Sequence, residues 1–282
     1  MSYASTQTEP SRNRAREAMG ATAVTSAYAL DPRPAHYVYR DGVKLYSRDK
    51  DILDGVGSYG AMTTAQIAEI YFDGLKSKTS WQNVLSRLVR NGALARVFVN
   101  LPDKPQGGSP TGCYQIGRKS WKSIYPGTPF REVRDQYKLM HTLMMVDTYI
   151  EVLRLSRAGF FEIEHHEVEA EAWRPYDGGE THPDISLILD LVRRKRYMNM
   201  YLEVDRSREF EYQIQQKVRR FVSAASERKS YPRVVFVVER GKDKRVRALR
   251  RYIAGVDGVP DGMFYVFTID DFREQLKAWS MG

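Results

Sequence analysis

Two short apolar runs in the second half of the chain carry carboxylates at their ends, and this feature constrains the fold most. Asp184 opens the run that extends to Leu191, and Glu203 and Asp205 close the run that begins at Tyr197. Apolar runs of this length predict strands of a sheet. Strands that each carry a terminal carboxylate bring the acids to a common sheet edge, where they repel each other unless a cation lies between them. The sequence therefore predicts a metal site at this edge.

Lys217, on the helix predicted to follow the second strand, adds a positive charge to this set. Two carboxylates and a lysine are typical of a Mg²⁺-dependent site that cleaves phosphodiester bonds. In this interpretation Asp184, Glu203 and Lys217 are catalytic. Asp147 lies in the apolar environment of another predicted helix, where a carboxylate is costly unless it is paired or metal-bound. We therefore expect Asp184 and Glu203 to bind Mg²⁺, with Asp147 and Asp205 assisting either as further ligands or as acids that contact the ligands.

The charge of the chain favours a nucleic-acid partner. Its 44 Lys and Arg residues against 35 Asp and Glu give a net charge of +9 and a pI near 9.5, although a basic protein without such a partner has the same composition. No run approaches the roughly 18 apolar residues that a membrane helix needs. The only cysteine, Cys113, excludes an intrachain disulfide and a cysteine-based zinc finger. We therefore expect a cytoplasmic, reducing compartment.

The first half of the chain has the pattern of three helices followed by two strands. Hydrophobic spacing predicts helices at about 48–56, 65–72 and 77–91 and strands at 94–99 and 112–117. This order is typical of a winged helix-turn-helix, whose third helix enters the major groove of DNA, although winged helices also serve as protein-docking modules. The expected DNA contacts are polar and basic residues of the third helix and of the loop between the strands: Lys78, Gln82, Asn83, Arg87, Arg90 and Lys104.

Proline and glycine residues near Pro126 mark the expected domain boundary. Residues 1–35 are expected to form a flexible basic tail, residues 36–125 the winged helix-turn-helix domain and residues 130–282 a second domain. The predicted order in the second domain is helix, three antiparallel strands, helix, strand, helix, strand, helix. That order is typical of a restriction-endonuclease-like α/β domain with a central mixed sheet. The predicted class of the whole chain is therefore α+β.

Taken together, these segments resemble the replication-relaxation proteins of plasmids and other mobile elements. The resemblance covers roughly Ile52 to Met281 and depends on the order and spacing of six short segments: Met62–Ile67, Leu88–Leu94, His141–Asp147, Pro183–Asp184, Leu202–Arg206 and Lys217. It implies a winged helix-turn-helix fused to a restriction-endonuclease-like domain of the PD-(D/E)xK type. It further implies double-stranded DNA of the encoding element as partner, a homodimer on symmetric sites, and a relaxase or replication initiator as a further partner.

The second domain departs from the nuclease pattern at one position. That pattern places a lysine two residues after the glutamate, where its charge positions the attacking water, but this chain has Asp205 there. A carboxylate cannot supply that positive charge, whereas Lys217 can supply it from the next helix. Two hypotheses therefore stay open. One is an active Mg²⁺-dependent endonuclease, and the other is a DNA-binding protein of replication, relaxation or transfer, or a transcriptional regulator, whose nuclease fold is silent.

Overall fold

The computed structural model describes residues 36–38, 44–74, 77–99, 111–124, 127, 129–130, 133, 135–228 and 231–282. Within these ranges the chain forms eight α-helices and a mixed five-stranded sheet, with three smaller sheets beside it. The predicted α+β class is therefore confirmed. The predicted tail at 1–35 and Lys104 lie outside the described residues. Within the described part, no helix combines the length and the apolar character needed to span a membrane.

Three helices come first and agree closely with their predictions: α1 (Ser47–Tyr59), α2 (Thr64–Tyr71) and α3 (Lys78–Arg90). The start of α2 is defined by a reciprocal pair of hydrogen bonds. Thr63 Oγ1 accepts from the amide of Gln66 (3.2 Å), and Gln66 Oε1 accepts from the amide of Thr63 (2.9 Å). This capping box satisfies two amides that have no partner within the helix.

Short strands accompany these helices: β1 (His36–Val38), β2 (Lys44–Tyr46), β3 (Met62–Thr63), β4 (Leu94–Val99) and β5 (Thr111–Ile116). β1 pairs with β2, and the other three form an antiparallel sheet in the order β3-β5-β4. Gly92 has a φ of +72°, a left-handed conformation that glycine favours, and it ends α3 just before β4. A short helix, α4 (Arg118–Ile124), follows β5 and was not predicted from the sequence.

The second half begins with α5 (Gln136–Arg157) and is built on the five-stranded sheet. Its strands are β6 (Glu162–Val168), β9 (Ile185–Leu191), β10 (Arg196–Asp205), β11 (Arg233–Val238) and β12 (Phe264–Thr268). A hairpin of β7 (Arg174–Tyr176) and β8 (Gly179–Thr181), absent from the sequence prediction, lies between β6 and β9 in the chain. The remaining helices are α6 (Glu211–Ser226), α7 (Asp243–Ala254) and α8 (Ile269–Met281).

The sheet has the order β12-β11-β10-β9-β6. β9 runs antiparallel to both β6 and β10, whereas β11 and β12 run parallel to β10. The predicted succession of three antiparallel strands, helix, strand, helix, strand is therefore confirmed. Parallel neighbours need a crossover between them, and α6 and α7 provide the connections to β11 and β12.

The two faces of the sheet are covered by different helices. The side chains of β10 point alternately to one face and the other, and this determines which helices each residue contacts. Tyr201 packs in one apolar cluster with residues of α6 and α7, whereas Leu202 and Val204 pack in another with residues of α5 and α8. Successive side chains of a strand point to opposite faces. Glu203 and Asp205 therefore share the face of Tyr201 and lie under α6 and α7.

The first half of the chain is fixed on α5 by hydrogen bonds as well as by apolar packing. Gln66 Nε2 on α2 donates to the carbonyl oxygen of Leu143 (2.8 Å) and to Asp147 Oδ1 (2.7 Å). Arg157, the last residue of α5, donates to the carbonyl oxygens of Glu69 and Ile70, both at 2.8 Å. Since these oxygens have no helical partner, the arginine also satisfies the end of α2.

Candidate active site and nucleic-acid interface

Asp184 immediately precedes β9 and is held against β10. Its amide donates to the carbonyl oxygen of Leu202 (3.1 Å), and its Oδ2 accepts from the amide of Val204 (2.7 Å). Its Oδ1 lies 3.3 Å from Nε2 of His141 on α5. Burial alone would raise the pKa of Asp184, but the contact with His141 and the charge of Lys217 hold it below its usual value. Asp184 is therefore a charged carboxylate at neutral pH.

Glu203 and Lys217 form a buried ion pair between β10 and α6. Lys217 lies three residues after Ile214 and one before Val218, both buried, so its helical position faces the sheet. Its Nζ lies 2.7 Å from Glu203 Oε2, and the Glu203 side chain is only 2% exposed. Burial raises the pKa of Glu203, and the charge of Lys217 opposes that rise. Removing either partner would therefore leave the other poorly compensated.

Asp184 and Glu203 are neighbours across the two strands. The amide of Asp184 donates to the carbonyl oxygen of Leu202 and its Oδ2 accepts from the amide of Val204, so Asp184 contacts the residues on both sides of Glu203. At this close range the charge of Asp184 raises the pKa of Glu203 further. The structure thus brings together the three residues that the sequence predicts as catalytic. We call Asp184, Glu203 and Lys217 the carboxylate–lysine cluster.

The structure places Asp205 against α7, and its carboxylate has partners outside this cluster. Arg245 on α7 holds both of its oxygens, with Nε at 2.8 Å from Oδ1 and Nη2 at 2.7 Å from Oδ2. The amide of Ser207 donates to the same Oδ1 at 2.8 Å. A bidentate arginine pair of this kind uses the acceptor capacity of the carboxylate. The position that carries lysine in the nuclease pattern is therefore part of a structural ion pair here.

Asp147 lies on α5, and its hydrogen-bond partner among the described residues is on α2 and not in the cluster. Its carboxylate accepts a hydrogen bond from Gln66 at 2.7 Å. It lines a pocket of about 500 Å³ between α2 and α5, to which Arg206 and Arg240 also contribute. Among the described residues no three His, Cys, Asp or Glu side chains are grouped to hold a metal ion, so the structure does not bring Asp147 together with both Asp184 and Glu203.

Two side chains of the carboxylate–lysine cluster, Asp184 and Glu203, could hold a divalent cation. Among the described residues, no group of three His, Cys, Asp or Glu side chains is placed to hold a metal ion. Mg²⁺, however, is usually held by one or two carboxylates together with water and substrate phosphate. Asp184 and Glu203 provide two carboxylates, and Glu203 Oε1 is buried without a hydrogen-bond partner among the described residues. This donor set fits Mg²⁺, with oxygens still to come from solvent or substrate.

Two residues that the sequence prediction did not assign lie against the cluster. His141 contacts Asp184, and burial alone would lower its pKa, but that contact raises it above its usual value. Glu209 contacts Lys217 Nζ at 3.3 Å. His141 is the first residue of the segment His141–Asp147, which carries part of the family resemblance, and this signal in the sequence could have identified it. Glu209 follows β10 in a loop, where no periodic pattern indicates a role.

The third helix of the first half, α3, presents a polar face to solvent. Gln82, Asn83 and Arg90 are exposed, and none of the three has a polar partner in the described part of the chain. Lys78 is the first residue of α3. A helix with an apolar inner stripe and free amide and guanidinium groups outside is suited to contacts with DNA.

Arg87 differs from the other predicted contacts, because its guanidinium is used within the protein. Its Nη2 lies 2.7 Å from Oδ1 of Asp49, whose side chain is 2% exposed. The guanidinium also lies 5.1 Å from the centre of the Tyr46 ring. Breaking a pair with a buried carboxylate is costly, so Arg87 fixes α3 to α1.

These observations define an α+β protein with a mixed five-stranded sheet, a carboxylate–lysine cluster at one sheet edge and a separate polar helix face. The family described as replication-relaxation matches residues 53–238, a range that includes α3 and the whole cluster. The chain therefore belongs to the replication-relaxation family, and its role falls in the replication or relaxation of mobile elements. No curated protein shows significant similarity to it.

Proposed function

We propose that this protein binds double-stranded DNA of the mobile element that encodes it, through a winged helix-turn-helix formed by its first half. The observation that carries the proposal is the exposed face of α3, where Gln82, Asn83 and Arg90 have no polar partner among the described residues. The net charge of +9 adds a general attraction for phosphates. In this proposal α3 enters the major groove, and the β4–β5 ribbon forms the wing beside it.

The side chains of α3 suit base recognition. Glutamine and asparagine pair in two places with adenine, and arginine does so with guanine. Gln82 and Asn83 are assigned to base edges, and Arg90, near the end of α3, to a base or a phosphate. Arg87 acts indirectly by holding α3 against α1 through Asp49. A homodimer on a symmetric site would place two copies of α3 one helical turn of DNA apart.

Binding to fragments of the element's DNA, measured by fluorescence anisotropy in EDTA, tests this proposal. A Gln82→Ala/Asn83→Ala variant is expected to lose about 30-fold or more in affinity for the preferred fragment, since each of the two bidentate contacts contributes about 1–3 kcal/mol. Gln275→Ala removes an amide from α8 instead and is the matched control. Equal affinity of the double variant and the wild type would refute the assignment of α3.

A second function, metal-dependent nicking of DNA, is favoured by the carboxylate–lysine cluster. Asp184 and Glu203 would hold Mg²⁺, and the ion would activate water and stabilise charge on the phosphate. His141 orients Asp184 through its contact with Oδ1. Lys217 provides, from α6, the positive charge that the nuclease pattern places two residues after the glutamate. It can donate a hydrogen bond to a phosphate oxygen or to the attacking water.

Incubation of supercoiled and linear DNA with the protein, with and without Mg²⁺ or Mn²⁺, separates an active nuclease from a silent one. We expect metal-dependent nicking by the wild type and its loss in Asp184→Ala, Glu203→Ala and Lys217→Ala. Asp147→Ala, a carboxylate outside the cluster, should nick as the wild type does. Intact DNA in every lane, with binding retained, would instead establish a DNA-binding accessory protein on a silent nuclease fold, acting beside a relaxase or a replication initiator.

A further inference from the structure

Two exposed aromatic rings lie at the start of α6, beside the carboxylate–lysine cluster. Phe210 is 70% exposed and Tyr212 is 60% exposed. Their rings are nearly parallel, with centroids 6.3 Å apart and an interplanar angle of 8°. Rings left in water forgo the free energy that aromatic burial provides. Two exposed rings grouped in this way offer a surface for contact with a ligand.

The position of this aromatic pair connects it to the cluster. Glu209, immediately before Phe210, contacts Lys217 Nζ at 3.3 Å. The carbonyl oxygen of Glu209 accepts a hydrogen bond from Arg245 Nη2 at 2.8 Å, and the amide of Phe210 donates to Gln213 Oε1 at 2.8 Å. The rings are therefore placed at the margin of the proposed cleavage site by contacts on both sides of Glu209.

The loop that precedes Phe210 is held in place by contacts of Ser207 and Arg208. Ser207 has a φ of +60°, a conformation that is uncommon for a residue other than glycine. Its amide is held by Asp205 Oδ1 at 2.8 Å. Arg208 lies over the ring of Tyr137 on α5, with its guanidinium carbon 4.8 Å from the ring centre. A surface that is ordered in advance loses little conformational entropy when a ligand binds.

One face of α6 carries polar and basic side chains beyond the aromatic pair. Gln216, Arg219 and Arg220 follow Tyr212 at helical spacing, and all three are exposed. In the part of the chain that the structure describes, neither Arg219 nor Arg220 has an ion-pair partner. Aromatic rings that stack on bases, followed by cations that track the phosphates, are the two components of a single-strand binding surface.

We propose that Phe210 and Tyr212 form a stacking platform for an unpaired base, so that the substrate of the carboxylate–lysine cluster is single-stranded or locally opened DNA. The proposal rests on the proposed nicking function for its location and adds the substrate class. Bases within a perfect duplex have both faces covered by their neighbours, whereas an unpaired base offers a free face to an aromatic ring. Arg219 and Arg220 would hold the backbone on either side of that base.

The test compares a perfect duplex, the same duplex with an internal unpaired segment, and a single strand, each labelled for anisotropy and held in EDTA. A 2-aminopurine in the unpaired segment reports stacking by the loss of its fluorescence. Phe210→Ala/Tyr212→Ala removes both rings, and Phe210→Tyr/Tyr212→Phe retains them. Tyr197→Ala is the matched control, because Tyr197 is 39% exposed at the opposite end of β10.

The wild type is expected to bind the two unpaired substrates more tightly than the duplex and to quench 2-aminopurine. Loss of both rings should weaken binding of the unpaired substrates about 5- to 150-fold and remove the quenching, with duplex affinity unchanged. The ring-retaining variant and Tyr197→Ala should behave as the wild type. Equal affinities for all three DNAs, unaffected by the double alanine variant, would overturn the platform and leave duplex binding by α3 intact. Failure of the wild type to bind any DNA would overturn both proposals.

Discussion

Replacement of Lys217 by methionine is expected to destabilise the fold, because it leaves Glu203 buried without its charge partner. The Glu203 side chain is 2% exposed, and the Lys217 ammonium lies 2.7 Å from it. Removing one partner of a buried ion pair typically costs about 3–5 kcal/mol. Lys217 itself is 29% exposed, so solvent screens part of the interaction. We therefore expect a loss of about 2–3 kcal/mol in the free energy of unfolding.

A double-mutant cycle separates this pair from general effects of the substitution. Urea unfolding, followed by tryptophan fluorescence in EDTA, would be measured for Lys217→Met, Glu203→Gln and the double variant. Because Glu203→Gln removes the buried charge, the double variant should be more stable than the sum of the single losses predicts, by about 1.5 kcal/mol. Lys244→Met, an exposed lysine on α7, should change stability by less than about 0.5 kcal/mol. Additive losses, or a loss for Lys217→Met no larger than that of Lys244→Met, would refute the reasoning.

Three further predictions concern contacts outside the cluster. Arg245→Met should lower the free energy of unfolding by about 3 kcal/mol, since it leaves Asp205 buried and unpaired, and exposed Arg247→Met on the same helix should be nearly neutral in the same urea titration. Burial lowers the pKa of His166 to about 4, so the stability of the wild type should fall as the pH drops below about 6.5, by about 2 kcal/mol between about pH 8 and pH 5. His166→Phe should remove most of that dependence when urea midpoints are compared across this range, and an unchanged pH profile would contradict it. Gln66→Leu should cost about 1–3 kcal/mol, because it leaves the amide of Thr63 and the carbonyl of Leu143 without their side-chain partner, and a thermal melt equal to that of the wild type would show otherwise.

Much of the secondary structure was predictable because it depends on local spacing. The strand at 233–238 and the helices after it were expected within one or two residues of their observed bounds. Short elements were missed because they show too little of such spacing. The strands β7 and β8 have three residues each, and α4 has seven, so none of them is long enough to show a hydrophobic period.

The candidate site was predictable only in part. Asp184, Glu203 and Lys217 were chosen for their positions at strand ends and on the next helix, and the structure brings them together. Asp147 was chosen by a different argument, the cost of a carboxylate in an apolar environment. It contacts Gln66 on α2 instead, a residue 81 positions away in sequence, and no pattern within α5 indicates that partner.

The sequence alone determined the order of helices and strands, the edge at which the carboxylates gather and the polar character of α3. Only the tertiary structure decided which charged side chains form ion pairs within the protein. The alternation of β10 sends Glu203 and Asp205 to one face of the sheet, but their partners, Lys217 and Arg245, come from different helices. Hydrophobic periodicity reports which face of an element is buried, whereas the partner of a buried charge depends on how distant elements pack. For that physical reason the sequence did not show that Asp205 pairs with Arg245 or that Arg87 pairs with Asp49. Their residue types alone suggested a role at a metal site for Asp205 and a DNA contact for Arg87.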